Sequence, residues 1–105
     1  MSDAPLATGS LVLTVEVSLD EAALRGRLGY HSGVRPNHRM PGRDYTFIGQ
    51  LDFADRDLLR PGECCQATGT FVIAEQDRSQ FRPGFSWPIA QGPTVVGHCK
   101  VIGGL

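Results

Sequence analysis

The strongest pattern in the chain is an alternation of apolar and polar positions that begins at Leu11. From Leu11 to Leu19 every odd position is leucine or valine, while Thr14, Glu16 and Ser18 occupy even positions. A period of two residues is that of a β-strand with one buried face, because successive side chains point to opposite sides of the sheet. We therefore predict a strand that begins at Leu11, after a flexible lead-in over residues 1–10.

The same period of two recurs in four later segments. Their predicted inward-facing residues are, in chain order, Tyr45, Phe47, Leu51 and Phe53; Cys65, Ala67, Gly69, Phe71 and Ile73; Phe85, Trp87 and Ile89; and Val95, Gly97, Cys99 and Val101. Turns at Pro61-Gly62 and Gly92-Pro93 and a polar loop over residues 75–80 separate these segments. We also predict one helical turn over residues 20–24, where Asp20 can cap the first turn.

These elements predict an all-β domain over residues 11–105. Five or six strands, without a long helical period or an internal repeat, are typical of an antiparallel barrel or an antiparallel sandwich. Gly49, Gly69 and Gly97 favour the barrel, since glycine inside a strand is useful where the strand bends. Pro88 also falls within a strand pattern, and its missing N–H predicts an edge position or a β-bulge.

Length and composition are those of one globular domain. The 105 residues include 41% apolar and 20% charged residues, with thirteen glycines and seven prolines that suit short strands and tight turns. No segment has the pattern of a signal peptide or a membrane span. Three cysteines, an odd number, argue against a disulfide framework and predict a reducing, cytoplasmic location. Cys65 and Cys99 fall on faces predicted to be buried, and Cys64 on the opposite face from Cys65.

No motif predicts catalysis, a metal site or a bound cofactor. Paired cysteine or histidine spacings, nucleophile motifs and phosphate-binding glycine loops are all missing from the sequence. His31, His38 and His98 have no carboxylate at a telling offset, so we interpret them as surface residues. We expect no enzyme activity, no cofactor, no metal and no nucleotide binding.

The charges are distributed unevenly, although the net charge is only −1. Residues 22–43 contain five arginines and two histidines without an acid, whereas residues 52–63 contain four acids and two arginines. A basic segment of this kind is a candidate for contacts with the phosphates of a nucleic acid. The other interpretation is that these arginines are solvated loop residues, some of them paired with nearby acids. The residues alone leave both interpretations open.

Three segments, taken together, resemble a known family. Residues 84–97 read Gly-Phe-Ser-Trp-Pro-Ile-Ala-Gln-Gly-Pro-Thr-Val-Val-Gly, residues 32–38 read Ser-Gly-Val-Arg-Pro-Asn-His, and residues 59–63 read Leu-Arg-Pro-Gly-Glu. In their order and spacing along the chain, these segments resemble the C-terminal β-barrel, domain III, of translation elongation factor Tu and 1-alpha. The resemblance covers residues 11–102 and implies a closed six-stranded antiparallel Greek-key barrel that stands alone.

The resemblance also implies a site. In that family, the regions that correspond to residues 24–28, 39–46 and 91–94 face the T stem of tRNA. The residues that would contact RNA or a partner are Arg25, Arg27, Arg35, Arg39, Arg43, Gln91 and Gly92. Gln91, Pro93 and Thr94 replace the glutamate, second glycine and arginine of the family's turn. For Arg35, which precedes Pro36, we favour a structural pairing with an acid across the barrel rim.

We expect a non-catalytic, cytoplasmic binding module whose first candidate partner is a protein, including the translation machinery. Near-neutral charge favours a protein, as does a barrel flank that covers another domain in the family. If that flank is apolar and exposed, it marks an interface or drives self-association. One alternative is weak binding of structured RNA, such as tRNA, through residues 25–43. Another is a small-molecule binder or hydrolase at the loop of His31 and His38, and a third is mimicry of elongation factor Tu. We expect no membrane contact.

Overall fold

The computed structural model describes residues 7–21 and 28–104, which are almost entirely β-structure. The strands are β1 (Thr8–Leu19), β2 (Tyr30–His31), β3 (Asn37–Arg39), β4 (Thr46–Phe53), β5 (Leu58–Leu59), β6 (Cys64–Ala74), β7 (Ser86–Gln91) and β8 (Thr94–Gly104). The segment predicted as a polar loop after β6 is a 3₁₀ helix, Glu75–Gln80. Of the helical turn predicted over residues 20–24, residues 22–24 lie outside the described part.

Six of these strands close into an antiparallel barrel in the order β1-β6-β4-β3-β7-β8, with β8 pairing back onto β1. Among the barrel strands, β3, β4 and β6 follow one another in the chain and also lie side by side in the barrel. β1 returns to lie beside β6, which gives a Greek-key arrangement. β2 and β5 form a separate two-stranded ladder. The predicted fold class is confirmed, and the sandwich that the residues alone had left open is not formed.

β1 forms one wall of the barrel between β6 and β8. It pairs with β6 from Thr8 to Ser18 and with β8 from Leu13 to Leu19. The strand therefore begins at Thr8, earlier than the predicted start at Leu11. Residues 8–10 lack the apolar alternation but still pair with the end of β6, because backbone hydrogen bonds do not require apolar side chains.

β3 is the short strand of the barrel. It contributes two residue pairs to β4 and two to β7. Beyond β3, the loop that precedes it continues along the edge of β4. Leu51 donates its N–H to the Val34 carbonyl at 2.9 Å and accepts a hydrogen bond from the Gly33 N–H at 2.8 Å. The Phe53 N–H donates to the Ser32 hydroxyl at 2.9 Å. These bonds fix residues 32–34 beside the end of β4.

The barrel interior is filled by alternate residues of the long strands. The inward faces predicted for β1, β4 and β6 are buried except at Leu11 and Tyr45, which are half-buried. Val15, Leu51 and Phe71 are fully enclosed. The aromatic side chains of the core form edge-to-face contacts with ring centroids 5.3 to 5.8 Å apart. These side chains are Phe47, Phe71, Phe81 and Trp87. The result is a packed aromatic core.

The glycines inside the strands provide space for close packing, whereas the sequence had suggested bends. A Cβ atom at Gly49 or at Gly69 would lie 2.3 Å from the ring of Phe71. A Cβ atom at Gly97 would lie 2.0 Å from the carbonyl oxygen of Ser18. A residue with a side chain could not be accommodated at these positions without movement of the backbone or of the Phe71 ring.

Pro88 is accommodated next to an irregularity in the sheet. β7 has neighbours on both sides, so Pro88 does not lie on an edge strand. Directly after it, between Ile89 and Ala90, the pairing with β8 shifts register. An irregularity here agrees with the prediction from the missing N–H. The shift also changes the inward face of β8, where Val96 is fully buried and Val95 only half-buried.

Candidate binding surfaces

The seven predicted site residues do not form one surface. Arg25 and Arg27 lie outside the described residues. Arg43 lies in the β3–β4 turn, at the opposite end of the barrel from the β7–β8 turn, because β3 and β7 run antiparallel. Its Nε donates to a carboxylate oxygen of Asp77 at 3.3 Å. Arg43 is thus paired with an acid. This agrees with the interpretation that some arginines of the basic segment pair with nearby acids.

The other four predicted residues meet at the end of the barrel that carries the β7–β8 turn. Arg35, Gln91 and Gly92 border a cleft of about 330 Å³ between the loop that precedes β3 and this turn. The Arg39 Nη2 donates to the Gly92 carbonyl oxygen at 3.2 Å. Gly92 has a φ of 55°, a left-handed conformation that glycine adopts without steric cost.

Arg35 donates hydrogen bonds to the side-chain amide of Gln50, whereas the sequence had predicted a direct pairing with an acid. Its Nε and Nη2 both donate to Oε1 of Gln50, at 3.0 and 2.8 Å. The Gln50 Nε2 donates in turn to both carboxylate oxygens of Asp52, at 3.1 and 3.2 Å. Arg35 is therefore linked to an acid through Gln50, and the guanidinium is fixed along the outer face of β4.

At the other end of the barrel, a buried carboxylate ties the 3₁₀ helix to the β3–β4 turn. Asp77 is 1% exposed and accepts a hydrogen bond from the Tyr45 hydroxyl at 2.5 Å, in addition to the bond from Arg43. The Gln76 Nε2 also donates to the Tyr45 hydroxyl oxygen, at 3.0 Å. The bond to Asp77 raises the pKa of Tyr45, because ionisation of the phenol would break it and oppose two negative charges. These contacts give Arg43 a structural role.

An apolar strip on the outside of the barrel was not singled out in the sequence. It consists of Val12 on β1, Ile48 on β4 and Val72 on β6, which are 41%, 64% and 39% exposed. Ile48 pairs directly with Val72, and Val12 pairs with Thr70, the next outward-facing residue of β6. The signal was present in the alternation, because all three residues occupy the parity that polar residues occupy elsewhere in the same strands.

Two clefts lie beside Ile48 and Val72 of the apolar strip. One, of about 250 Å³, extends toward Tyr45, and the other, of about 260 Å³, extends toward Arg35 and Gln50. Ile48 and Val72 border both clefts. These two side chains therefore form a ridge with a recess on either side.

The prediction that the histidines lie on the surface is wrong for His38. This side chain is fully buried on β3, in contact with the rings of Phe47 and Phe71. The Trp87 Nε1–H donates to Nδ1 of His38 at 2.9 Å, and the His38 Nε2–H donates to the Gly49 carbonyl oxygen at 3.0 Å. Burial lowers the pKa of His38 to about 4, so the ring is neutral near pH 7.

The site that would combine His31 with His38 is not formed. His31 is exposed on β2, whereas both ring nitrogens of His38 are bonded inside the core. His98 is exposed on β8, as predicted. The burial of His38 could not be predicted from the sequence, because the three residues of β3 are too few to show an alternation of apolar and polar positions.

The cysteines lie where the sequence placed them. Cys64 is exposed, Cys65 and Cys99 are buried, and all three are free thiols. Burial raises the pKa of both buried thiols, because it disfavours the thiolate. Within residues 7–21 and 28–104, no three histidine, cysteine or acidic side chains are grouped so that they could hold a metal ion.

No protein-family model and no curated protein matches this chain. Among the residues that the structure describes, none of the helices is long and apolar enough to cross a membrane. The three segments 32–38, 59–63 and 84–97 lie in the loop that leads into β3, in the turn between β5 and β6, and in the β7–β8 hairpin.

Proposed function

We propose that this protein is a non-catalytic binding module that uses the outer face of β1, β4 and β6 to bind a protein partner. The observation that carries this proposal is the exposed strip formed by Val12, Ile48 and Val72. Contiguous exposed apolar side chains are typical of interaction surfaces, because a partner that covers them removes apolar area from water.

The strip lies on the most extensively paired part of the barrel. β1 and β6 share eleven consecutive residue pairs, and β4 and β6 share six. A face built on such strands is rigid before it binds, so association orders little additional backbone. The ridge of Ile48 and Val72 gives this face a shape that a partner can match.

The resemblance to domain III of elongation factor Tu supports a partner from the translation machinery. In that family the barrel works beside other domains, and its flank covers one of them. We assign no catalytic step to this module. His38, whose pKa is lowered by burial, is enclosed in the core with both ring nitrogens hydrogen-bonded, so a substrate cannot reach it.

Affinity capture with matched variants tests this function. Ile48→Asp places a charge in the strip, and Ser86→Asp places the same charge on β7, the opposite wall of the barrel. We expect the wild type and Ser86→Asp to retain the same protein from a lysate of the source cells. Ile48→Asp should lose it at least about tenfold, which corresponds to about 1.4 kcal/mol. A partner that Ile48→Asp retains as well as the wild type does would contradict the proposal.

The second candidate function is weak binding of structured RNA such as tRNA, and the cleft shared by Arg35, Gln91 and Gly92 favours it. Arg35 is fixed by Gln50 at the edge of this cleft, and its remaining N–H groups could donate to a phosphate. Few such contacts are available, because Arg43 lies at the other end of the barrel and is bonded to Asp77. Binding of this kind would be weak and would decrease steeply with salt.

Fluorescence anisotropy with labelled tRNA over a salt titration tests the RNA candidate. We expect Arg35→Glu and the double variant Arg25→Glu/Arg27→Glu each to abolish binding at low salt. Arg82→Glu, an exposed position outside residues 25–43, is the matched control and should reduce binding only slightly. If the wild type does not bind at low salt, or if Arg82→Glu weakens binding as much as the other variants, this candidate is wrong.

A further inference from the structure

We infer that the cleft between the loop before β3 and the β7–β8 turn binds a small organic anion, namely a monocarboxylate with a compact apolar body. The cleft shares no residue with the apolar strip, so this inference goes beyond the proposed function. Three features of the cleft support it: a guanidinium without a directly paired acid, an apolar lining, and a volume that matches a small molecule.

Arg35 brings to the cleft a positive charge that no carboxylate neutralises directly. Its two hydrogen bonds, from Nε and Nη2, both end on the amide oxygen of Gln50. Asp52 bonds to the nitrogen of that amide, and within the described part of the chain no acid forms an ion pair with Arg35. A guanidinium carries five N–H groups, so those of Nη1 and the second of Nη2 remain for a ligand. Because Gln50 already holds the side chain, an anion binds without ordering it further.

The residues that line the cleft favour an anion with an apolar body. None of the eight described residues around it is an acid, and Arg35 is the single cation among them. Asn37 and Gln91 also line the cleft, and their side-chain amides are able to donate hydrogen bonds without adding charge. Four further lining residues are buried or half-buried and provide apolar surface, namely Tyr30, Val34, Pro36 and Ala90. An apolar lining with a few polar groups is the usual composition of a small-molecule site.

The charge of the cleft selects a carboxylate. The planar guanidinium of Arg35 matches one carboxylate in both charge and geometry, because two parallel N–H groups can meet its two oxygens. The guanidinium of Arg39 is bonded to the Gly92 carbonyl at the rim and does not line the cleft. An RNA strand presents many phosphates along its backbone, whereas this cleft offers one lining cation.

The volume of the cleft sets the size of the ligand. A water molecule occupies roughly 30 Å³ of liquid, so a cleft of about 330 Å³ holds a ligand of roughly ten non-hydrogen atoms. Phenylacetate is an acid of this size with an apolar ring, and it is therefore the probe that we choose.

Two-dimensional ¹H–¹⁵N NMR of the full chain, with phenylacetate up to about 20 mM, covers the millimolar affinity expected of a small ligand in an open cleft. We expect saturable shifts of the backbone amides around Arg35 and Gly92, which sodium chloride at equal ionic strength does not produce. Phenylacetamide has the same shape without the charge and should bind at least about tenfold more weakly, because it forms no charge-assisted hydrogen bond with Arg35.

Matched variants assign the binding to Arg35. Arg35→Gln removes the charge at an exposed position and should weaken phenylacetate binding at least about tenfold. Arg82→Gln removes an exposed arginine before β7, at the end of that strand away from the cleft, and should bind like the wild type. Circular dichroism and Trp87 fluorescence report whether each variant has folded. A wild type without saturable shifts, equal binding of phenylacetamide, or a folded Arg35→Gln variant that binds like the wild type overturns the inference.

Two further probes distinguish the sources of the anion. N-acetyl-leucine represents the carboxyl terminus of a protein. If it binds more tightly than phenylacetate and its amide does not bind, the carboxylate site is supported with a protein terminus as its ligand. Inorganic phosphate represents the backbone of RNA. Saturable, Arg35-dependent shifts with phosphate and none with phenylacetate overturn the inference and favour the RNA candidate. Neither result depends on whether the apolar strip binds a protein.

Discussion

His38 shows how strongly the fold can change the chemistry of one residue. Its ring is in contact with Phe47, Phe71 and Trp87, none of which carries a charge. Nδ1 accepts a hydrogen bond from Trp87, and Nε2–H donates to Gly49. A proton on Nδ1 would place two donors against each other and leave a positive charge in an apolar core. For this reason the pKa falls to about 4.

The lowered pKa predicts that mild acid destabilises the protein. In the unfolded chain His38 binds a proton near pH 6.5, whereas in the folded chain it does so only near pH 4. Within this window the unfolded state binds more protons, so the free energy of unfolding decreases as the pH falls. The contribution of His38 to the free energy of unfolding is complete above pH 6.5 and is lost by pH 4, a difference of about 3 kcal/mol. Urea unfolding followed by tryptophan fluorescence across this range measures it.

His38→Gln is the variant that isolates this effect, because an amide can accept from Trp87 and donate to Gly49 without titrating. We expect a flatter dependence of stability on pH in this variant. His98→Gln removes an exposed histidine instead and should keep the slope of the wild type. Identical slopes for the wild type and His38→Gln would show that other groups cause the dependence.

The 3₁₀ helix after β6 is an element that depends on its contacts. It has six residues, too few to be stable alone, and Asp77 holds it against Tyr45 and Arg43. We predict that Tyr45→Phe lowers the free energy of unfolding by about 1–2 kcal/mol, because the buried carboxylate loses a short hydrogen bond. Arg43→Ala should cost less than about 1 kcal/mol, since the Arg43 side chain is 39% exposed. Urea denaturation of both variants, with Arg82→Ala as the control, measures the difference. A Tyr45→Phe variant with the same free energy of unfolding as the wild type would show that the hydrogen bond from Tyr45 to Asp77 contributes little to stability.

The elements that the sequence could predict are those long enough to show a period of two. β1, β4 and β6 each span at least eight residues, and their inward faces followed from alternation alone. β3 has three residues, so the inward position of His38 left no pattern. The partners of its ring, Gly49 and Trp87, become neighbours only when the barrel closes. Asp77 was hidden in the same way, because a polar segment of sequence gives no sign that one of its acids is buried.

At the scale of the whole molecule, the barrel is unevenly paired around its circumference. β1 and β6 share eleven residue pairs, whereas β3 contributes only two to each neighbour. The apolar strip lies on the extensively paired side, and the cleft of Arg35 and Gly92 lies beside β3. The His38 ring compensates for the short strand, because it bonds β3 to Gly49 of β4 and to Trp87 of β7. A buried side chain thus adds to the few backbone hydrogen bonds that join β3 to β4 and β7, which we call the seam of the barrel.

Native-state hydrogen exchange can show whether the barrel opens at this seam. We predict that amides of β3 and of the adjacent part of β7 exchange before those of β1 and β6, because few hydrogen bonds and one side chain hold the seam. His38→Phe removes both bonds of the ring and should accelerate exchange in β3 and β7 by about tenfold or more, since each lost buried hydrogen bond costs about 1 kcal/mol or more. His38→Gln should restore most of the protection, and β6 should change little in either variant. Equal acceleration in β3 and β6 would mean that the barrel opens only as a whole, so that the contacts of His38 stabilise the global fold and not the seam in particular.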